Sequence, residues 1–154
     1  MFDISLILSL LISLGTGVLS GFITRDDTRT FFDAVIKAPL TPPAVVFPIV
    51  WTILFALMGV SAYLVWKKYD CKYRNTGLGI YALQLVFNFL WSIIFFKFQQ
   101  LDIAFFWLIL LWLMVAVMIA LFYNCSKKAG MLQIPYILWL TFAAYLNFMI
   151  CVLN

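Results

Sequence analysis

Five stretches of this chain run for about twenty residues each, the length needed to cross a bilayer as a helix. None of the five contains an Asp, Lys or Arg. They are Ile4–Thr24, Phe47–Trp66, Gly77–Phe96, Ile103–Tyr123 and Met131–Leu153. In hydrocarbon every backbone polar group must be paired within the chain, so such runs are helices or strands of a closed barrel. Barrel strands alternate and are about ten residues long. These runs are longer and continuous, so helices are expected. Only 10% of the 154 residues are charged and 66% are hydrophobic. A water-facing surface needs far more charge. The composition excludes a soluble enzyme, a disordered regulator and a nucleic-acid partner. It fits an all-α membrane protein, one five-helix domain spanning residues 1–154.

The connections set the topology. Asp70–Thr76, Lys97–Asp102 and Asn124–Gly130 are short, so the helices they join are antiparallel neighbours. The long link is 25–46. Within it, Phe31, Phe32, Val35 and Ile36 form one face of a short amphipathic helix. Asp27 is its expected cap and Pro39 its stop. Pro39, Pro42, Pro43 and Pro48 stiffen the return, and the whole link reads equally as an interfacial connector or as a lid over the bundle mouth. With the N-terminus inside, the inner loops hold six basic residues (Lys67, Lys68, Lys72, Arg74, Lys127, Lys128) and the outer side holds four (Arg25, Arg29, Lys37, Lys97). That bias favours an inside N-terminus. The first run lacks a positive flank and has Asp3 instead, so it reads as a retained span rather than a signal peptide.

Residue types missing from the chain limit its chemistry. There is no His and no Glu, and no acid or base lies within a span. Catalysis that pairs Ser or Cys with His is excluded, as is a His ligand to a metal or haem iron. Ion-coupled transport usually needs an intramembrane carboxylate or His. The three cysteines, Cys71, Cys125 and Cys151, match no metal spacing and read as unpaired thiols, although Cys71 and Cys125 fall in loops on the same membrane side, where a disulfide is topologically possible.

The helix faces carry the remaining information. Ser5, Ser9, Ser13, Gly17 and Gly21 make a small-residue stripe on the first span, suited to close helix packing. The fourth span is apolar all round and is the expected lipid-facing helix, with Ala116 and Ala120 as a seat for a neighbour. The second span sets Trp51, Phe55 and Met58 on one face. The third sets Gln84, Asn88, Trp91 and Phe95 on one face. The fifth sets Tyr136, Trp139, Ala143 and Asn147 on one face. An amide in hydrocarbon needs a partner, so Asn88 and Asn147 should turn inward and bring the tryptophans with them. Aromatic core packing explains this pattern. So does a Trp-lined cavity for a flat, mostly apolar ligand.

Three stretches on these faces make the sequence recognisable: FPIVWTILFALMGVSAYLVW (Phe47–Trp66), NFLWSIIFF (Asn88–Phe96) and PYILWLTFAAYLN (Pro135–Asn147). A fourth, APLTPP (Ala38–Pro43), precedes the second span. The chain resembles the translocator protein family, also called tryptophan-rich sensory proteins or peripheral-type benzodiazepine receptors. That resemblance implies a five-helix bundle that commonly dimerises in the membrane and needs no cofactor. It implies binding of tetrapyrroles such as protoporphyrin IX and haem, of sterols in some members, and of benzodiazepine-type and isoquinoline carboxamide ligands. Passive transport of porphyrins or lipids is the alternative role. Some bacterial members are associated with light-dependent breakdown of bound protoporphyrin, which would give Trp51 and Trp139 a photo-oxidative role. Carried over by motif, the cavity residues are Trp51, Asn88, Trp91, Trp139 and Ala143. Phe55, Asn147 and the loop residues Phe32 and Pro42 complete the expected ligand site. The family's sterol pattern ends in a basic residue, and none follows Tyr145 here. The absence of a targeting segment suits a bacterial cytoplasmic membrane.

Overall fold

A computed structural model describes residues 3–154. The helices are α1 (Ile4–Ile23), α2 (Arg25–Ala34), α3 (Val46–Trp66), α4 (Arg74–Ser92), α5 (Leu101–Cys125), α6 (Lys127–Leu132) and α7 (Ile134–Leu153). A π-helical turn, Ile93–Lys97, extends α4. Five helical stretches are long and apolar enough to cross a membrane: α1, α3, α4 with its π turn, α5, and α6 with α7. Every expected span lies within about four residues of an observed one, as is usual for helix ends.

The stripe on α1 packs it against α3. Ser9 Oγ donates to the Gly59 carbonyl at 2.6 Å, and Ser13 is fully buried. A Cβ on Gly59 would lie 2.6 Å from Ser13 Oγ and 3.0 Å from Leu10 Cα, so only glycine allows this approach. Gly17 is tight against the Phe55 ring, whereas Gly21 has nothing within 4 Å and takes no part in the seam.

The expectation that the fourth span faces lipid is overturned. On α5, Ala104, Leu108, Leu111, Val115, Met118 and Phe122 are all fully buried against α4, α7 and α6. The most lipid-exposed span is α1, of which only 11% is buried. Lipid tails are as apolar as Leu, so an all-apolar helix gives no contrast between a lipid face and a packing face. Ala116 is half-buried and Ala120 exposed.

The cysteine reading is corrected too. Cys71 and Cys125 form a disulfide, with Cα atoms 5.4 Å apart, that ties the α3–α4 connection to the end of α5. Cys151 is a free thiol. Nothing in the spacing marks the pair. It arises because α4 and α5 are antiparallel, which returns residue 125 to the end of the bundle where residue 71 lies.

The first ten residues of the long first link are helix. α2 starts one residue after α1, and Thr24 supplies its N-cap position without a side-chain cap bond. Asp27 therefore sits in the first turn of α2 and does not cap it. α2 ends at Ala34, before Pro39. Phe31 is buried against Phe95 and Phe96, with ring centroids 4.9 and 5.7 Å away, whereas Ile36 is exposed. The return segment is tied to α7. Ile36 N–H donates to Asn154 Oδ1, Asn154 Nδ2 donates to the Ile36 carbonyl, and Tyr145 Oη donates to the Pro39 carbonyl. Leu40 holds the turn with φ 67°, a left-handed backbone that costs a non-glycine residue roughly 1–2 kcal/mol.

At the opposite end, Asp3 joins α1 to α3. Its Oδ1 accepts from Ser5 N–H, and its Oδ2 accepts from Tyr63 Oη and pairs with Lys67 Nζ at 2.8 Å. Lys67 first, then Tyr63, holds the Asp3 carboxyl down from 3.8 to about 2. A depressed carboxyl contributes stability above its unfolded value, and that contribution is lost as pH falls towards the folded value. Melting temperature in detergent should therefore drop between pH 4 and pH 2. Asp3→Asn should melt lower at pH 7 and show a shallower drop across that window. A parallel pair of curves would remove Asp3 from the acid response.

Candidate ligand-binding site

At the α2 end of the bundle, α1, α3, α4 and α7 stand apart around a cavity of about 720 Å³. Small-molecule pockets span roughly 300–1,000 Å³, so this space takes a large flat ligand. α2 and the following link cover its mouth. Three of the six tryptophans line it: Trp51 from α3, Trp91 from α4 and Trp139 from α7. Trp51 leans on Phe55 (5.6 Å) and meets Tyr136 edge-on (6.3 Å). Trp139 meets Phe47 edge-on at 5.9 Å. Trp91 stacks on Phe95 at 5.1 Å. These mutual contacts hold the rings in place before any ligand arrives.

The remaining tryptophans act elsewhere. Trp107 stacks on Phe87 and donates to its carbonyl, Trp112 donates to Thr141 Oγ1, and Trp66 carries the Arg74 guanidinium on its face. They join helices to each other or to loops, so tryptophan content alone does not mark the site.

Beneath the cavity lies a buried polar chain. Asn88 Nδ2 donates to Tyr136 Oη at 2.9 Å, and Tyr136 Oη donates to Gln84 Oε1 at 2.7 Å. Gln84 Nε2 has only the Met58 sulfur, at 3.6 Å. Asn147 Nδ2 donates to the Leu101 carbonyl, while Asn147 Oδ1 and Trp91 Nε1 are buried without a protein partner. Two cavity residues thus keep one acceptor and one donor unused.

Eight of the nine residues expected at the site line the cavity: Phe32, Trp51, Phe55, Asn88, Trp91, Trp139, Ala143 and Asn147. Pro42 does not; its neighbours Thr41 and Ala44 do. Apart from Phe32, sequence reasoning missed the α1–α2 wall, where Gly17, Gly21, Thr24, Arg25, Thr28 and Arg29 also line the space. Their spacing follows one helix face across Thr24, a signal hidden by ending the span there. It also missed that both Phe95 and Phe96 line the cavity. They lie in the π turn, which shifts the side-chain register within α4.

A five-span bundle with a covered, aromatic cavity whose lining carries no acid defines a class: an integral membrane protein that binds small molecules. Comparison with known proteins identifies the family. The TspO/MBR family model matches residues 8–153, and the chain belongs to that family. It is 35% identical to the tryptophan-rich protein TspO of Chlorobaculum tepidum, over 96% of this chain and 97% of that one. It is also 35% identical to the TspO of Archaeoglobus fulgidus (98% and 97% covered) and 34% identical to the translocator protein of Bos taurus (91% and 83% covered).

Proposed function

We propose that this protein is a receptor for tetrapyrroles, protoporphyrin IX and haem, held in the Trp51–Trp91–Trp139 cavity. The observation that carries this reading is the cavity itself: broad aromatic walls, no acid in its lining, and a few amide and indole groups to fix orientation. A macrocycle lying against Trp51, Phe55, Trp91 and Trp139 would replace lipid contacts by ring stacking. With no His in the chain, affinity comes from burial and stacking rather than from a His–iron bond. Benzodiazepine-type and isoquinoline carboxamide ligands fit the same flat, apolar description.

The test is quenching of tryptophan fluorescence by protoporphyrin IX in the dark, in detergent. The native chain should show saturable quenching at micromolar ligand. Trp51→Phe/Trp139→Phe should weaken it or cut its amplitude sharply. Linear, unsaturable quenching in both proteins would mean partition into the micelle and would return the tryptophans to a packing role. Under illumination, Trp51 and Trp139, two of the three tryptophans lining the cavity, would be the groups oxidised by a bound porphyrin. If photo-oxidation is part of the function, the double variant should still bind but form no product.

One observation favours passive transfer as a second reading. Val18 and Val45 line the cavity and are also exposed on the bundle surface, which supports a lateral path from lipid. Flux of porphyrin between vesicles separates this role from binding alone. The proposed setting is a bacterial-type cytoplasmic membrane with the N-terminus inside. The charge bias supports that orientation. The Cys71–Cys125 bond lies on the same face and by itself fits an oxidising compartment, so it pulls the other way.

A further inference from the structure

Two exposed arginines, Arg25 and Arg29, line a cavity that has no other charged residue in its lining. We propose that Arg25 and Arg29 make the site selective for acids, by holding the carboxylates of a flat apolar ligand. This rests on the tetrapyrrole reading above and narrows it to ligands with an anionic edge, such as porphyrins that keep free propionates.

Arg25 and Arg29 are four residues apart on α2, so they share a helix face, and both line the cavity. No Asp lines the same space. Asp26, Asp27 and Asp33 are on α2, yet none pairs with either arginine; among the described residues the single ion pair is Asp3–Lys67, at the far end of the bundle. Neither guanidinium makes a hydrogen bond within the described residues, whereas Arg74 bonds both the Trp66 carbonyl and Asn75. Each therefore keeps a full planar fork of donors, the shape that takes a carboxylate with two parallel bonds. The interleaved threonines do not compete. Thr24 Oγ1 donates to the Ser20 carbonyl and Thr28 Oγ1 to the Thr24 carbonyl.

Position adds a second constraint. α2 begins one residue beyond the membrane span α1, which places the arginines where hydrocarbon gives way to headgroups. An amphipathic acid would lie with its ring system among Trp51, Trp91 and Trp139 and its carboxylates at this level. A neutral ligand of the same shape would cover two cations with apolar surface and offer no counter-charge, which is costly. Interfacial basic residues also anchor helices to lipid phosphate. Lys37 and Lys97 share this side of the bundle but do not line the cavity, so they serve as the control for that simpler role.

Dark fluorescence quenching in an uncharged sugar detergent, with no lipid phosphate present, tests the proposal. The probes are protoporphyrin IX and its dimethyl ester. The proteins are the native chain, Arg25→Gln/Arg29→Gln and Lys37→Gln/Lys97→Gln. The native chain should bind the diacid at least about 10-fold more tightly than the ester, the scale of one good charge-assisted contact. The arginine variant should lose that preference by binding the acid less tightly, and the lysine variant should keep it. Equal, saturable binding of acid and ester by the native chain would overturn the proposal while leaving the tetrapyrrole site intact. So would equal weakening of acid binding in the arginine and lysine variants, or equal weakening of acid and ester in the arginine variant. Linear quenching by both porphyrins would remove the tetrapyrrole site and this proposal together.

Discussion

Phenylalanine in place of Ala143 should abolish saturable protoporphyrin binding while leaving the bundle folded. Ala143 lies on α7 one turn after Trp139 and one turn before Asn147, and all three line the cavity. A phenyl ring there would occupy part of the cavity that Ala143 lines. The space is apolar, so filling part of it adds contacts and disturbs little packing. A flat ligand, by contrast, needs an unbroken slot between the helices, and one ring across the slot removes it. The expected outcome is a loss of at least about 100-fold in affinity, roughly 2.7 kcal/mol. Melting temperature should move by no more than about 4 °C. The checks are the dark quenching titration and a thermal melt in the same detergent. Ala143→Gly is the matched control and should bind normally. Native-like binding by a well-folded Ala143→Phe would place the ligand outside this cavity.

That experiment depends on a residue whose place was readable in the sequence, and the reason is physical. Asn88 and Asn147 sit in hydrocarbon-length runs, where an unpaired amide is costly. They had to face inward, and residues at helical spacing from them, including Trp91, Trp139 and Ala143, had to follow. Polar atoms in an apolar solvent therefore encode direction. Between Ile103 and Tyr123, α5 carries no such atom besides its indole and phenol groups, and its buried stripe from Ala104 to Phe122 could not be told from its lipid face. The wall of the cavity contributed by α1 and α2 escaped for a different reason. Arg25 ends the apolar run, so the run was closed at Thr24, although the helical face continues through it to Phe32. The π turn at Ile93–Lys97 and the Cys71–Cys125 bond depend on how α4 lies against α2 and α5. Neither leaves a mark on local periodicity.

The polar chain beneath the cavity should be the most sensitive point of the fold. Tyr136 is 1% exposed, and its hydroxyl serves Asn88 and Gln84 at once. Tyr136→Phe removes one oxygen and leaves an amide donor and an amide acceptor without partners. Each buried orphan costs about 1–3 kcal/mol, so a loss of roughly 2–4 kcal/mol is expected. Interhelical hydrogen bonds in membrane proteins average only about 0.6 kcal/mol, because polar groups there find other partners. The two amides differ in that freedom. Asn88 lines the cavity and can turn to a water or a ligand, whereas Gln84 is fully buried and does not line it. Most of the cost should therefore come from Gln84. Gln84→Leu/Tyr136→Phe should accordingly recover about 1–2 kcal/mol relative to Tyr136→Phe alone, since it removes the stranded acceptor along with its partner. Unfolding in mixed micelles measures all three proteins against the native chain. A single variant within about 0.6 kcal/mol of native, with no gain in the double variant, would show that water already reaches Gln84 and that the chain does not hold α4 to α7.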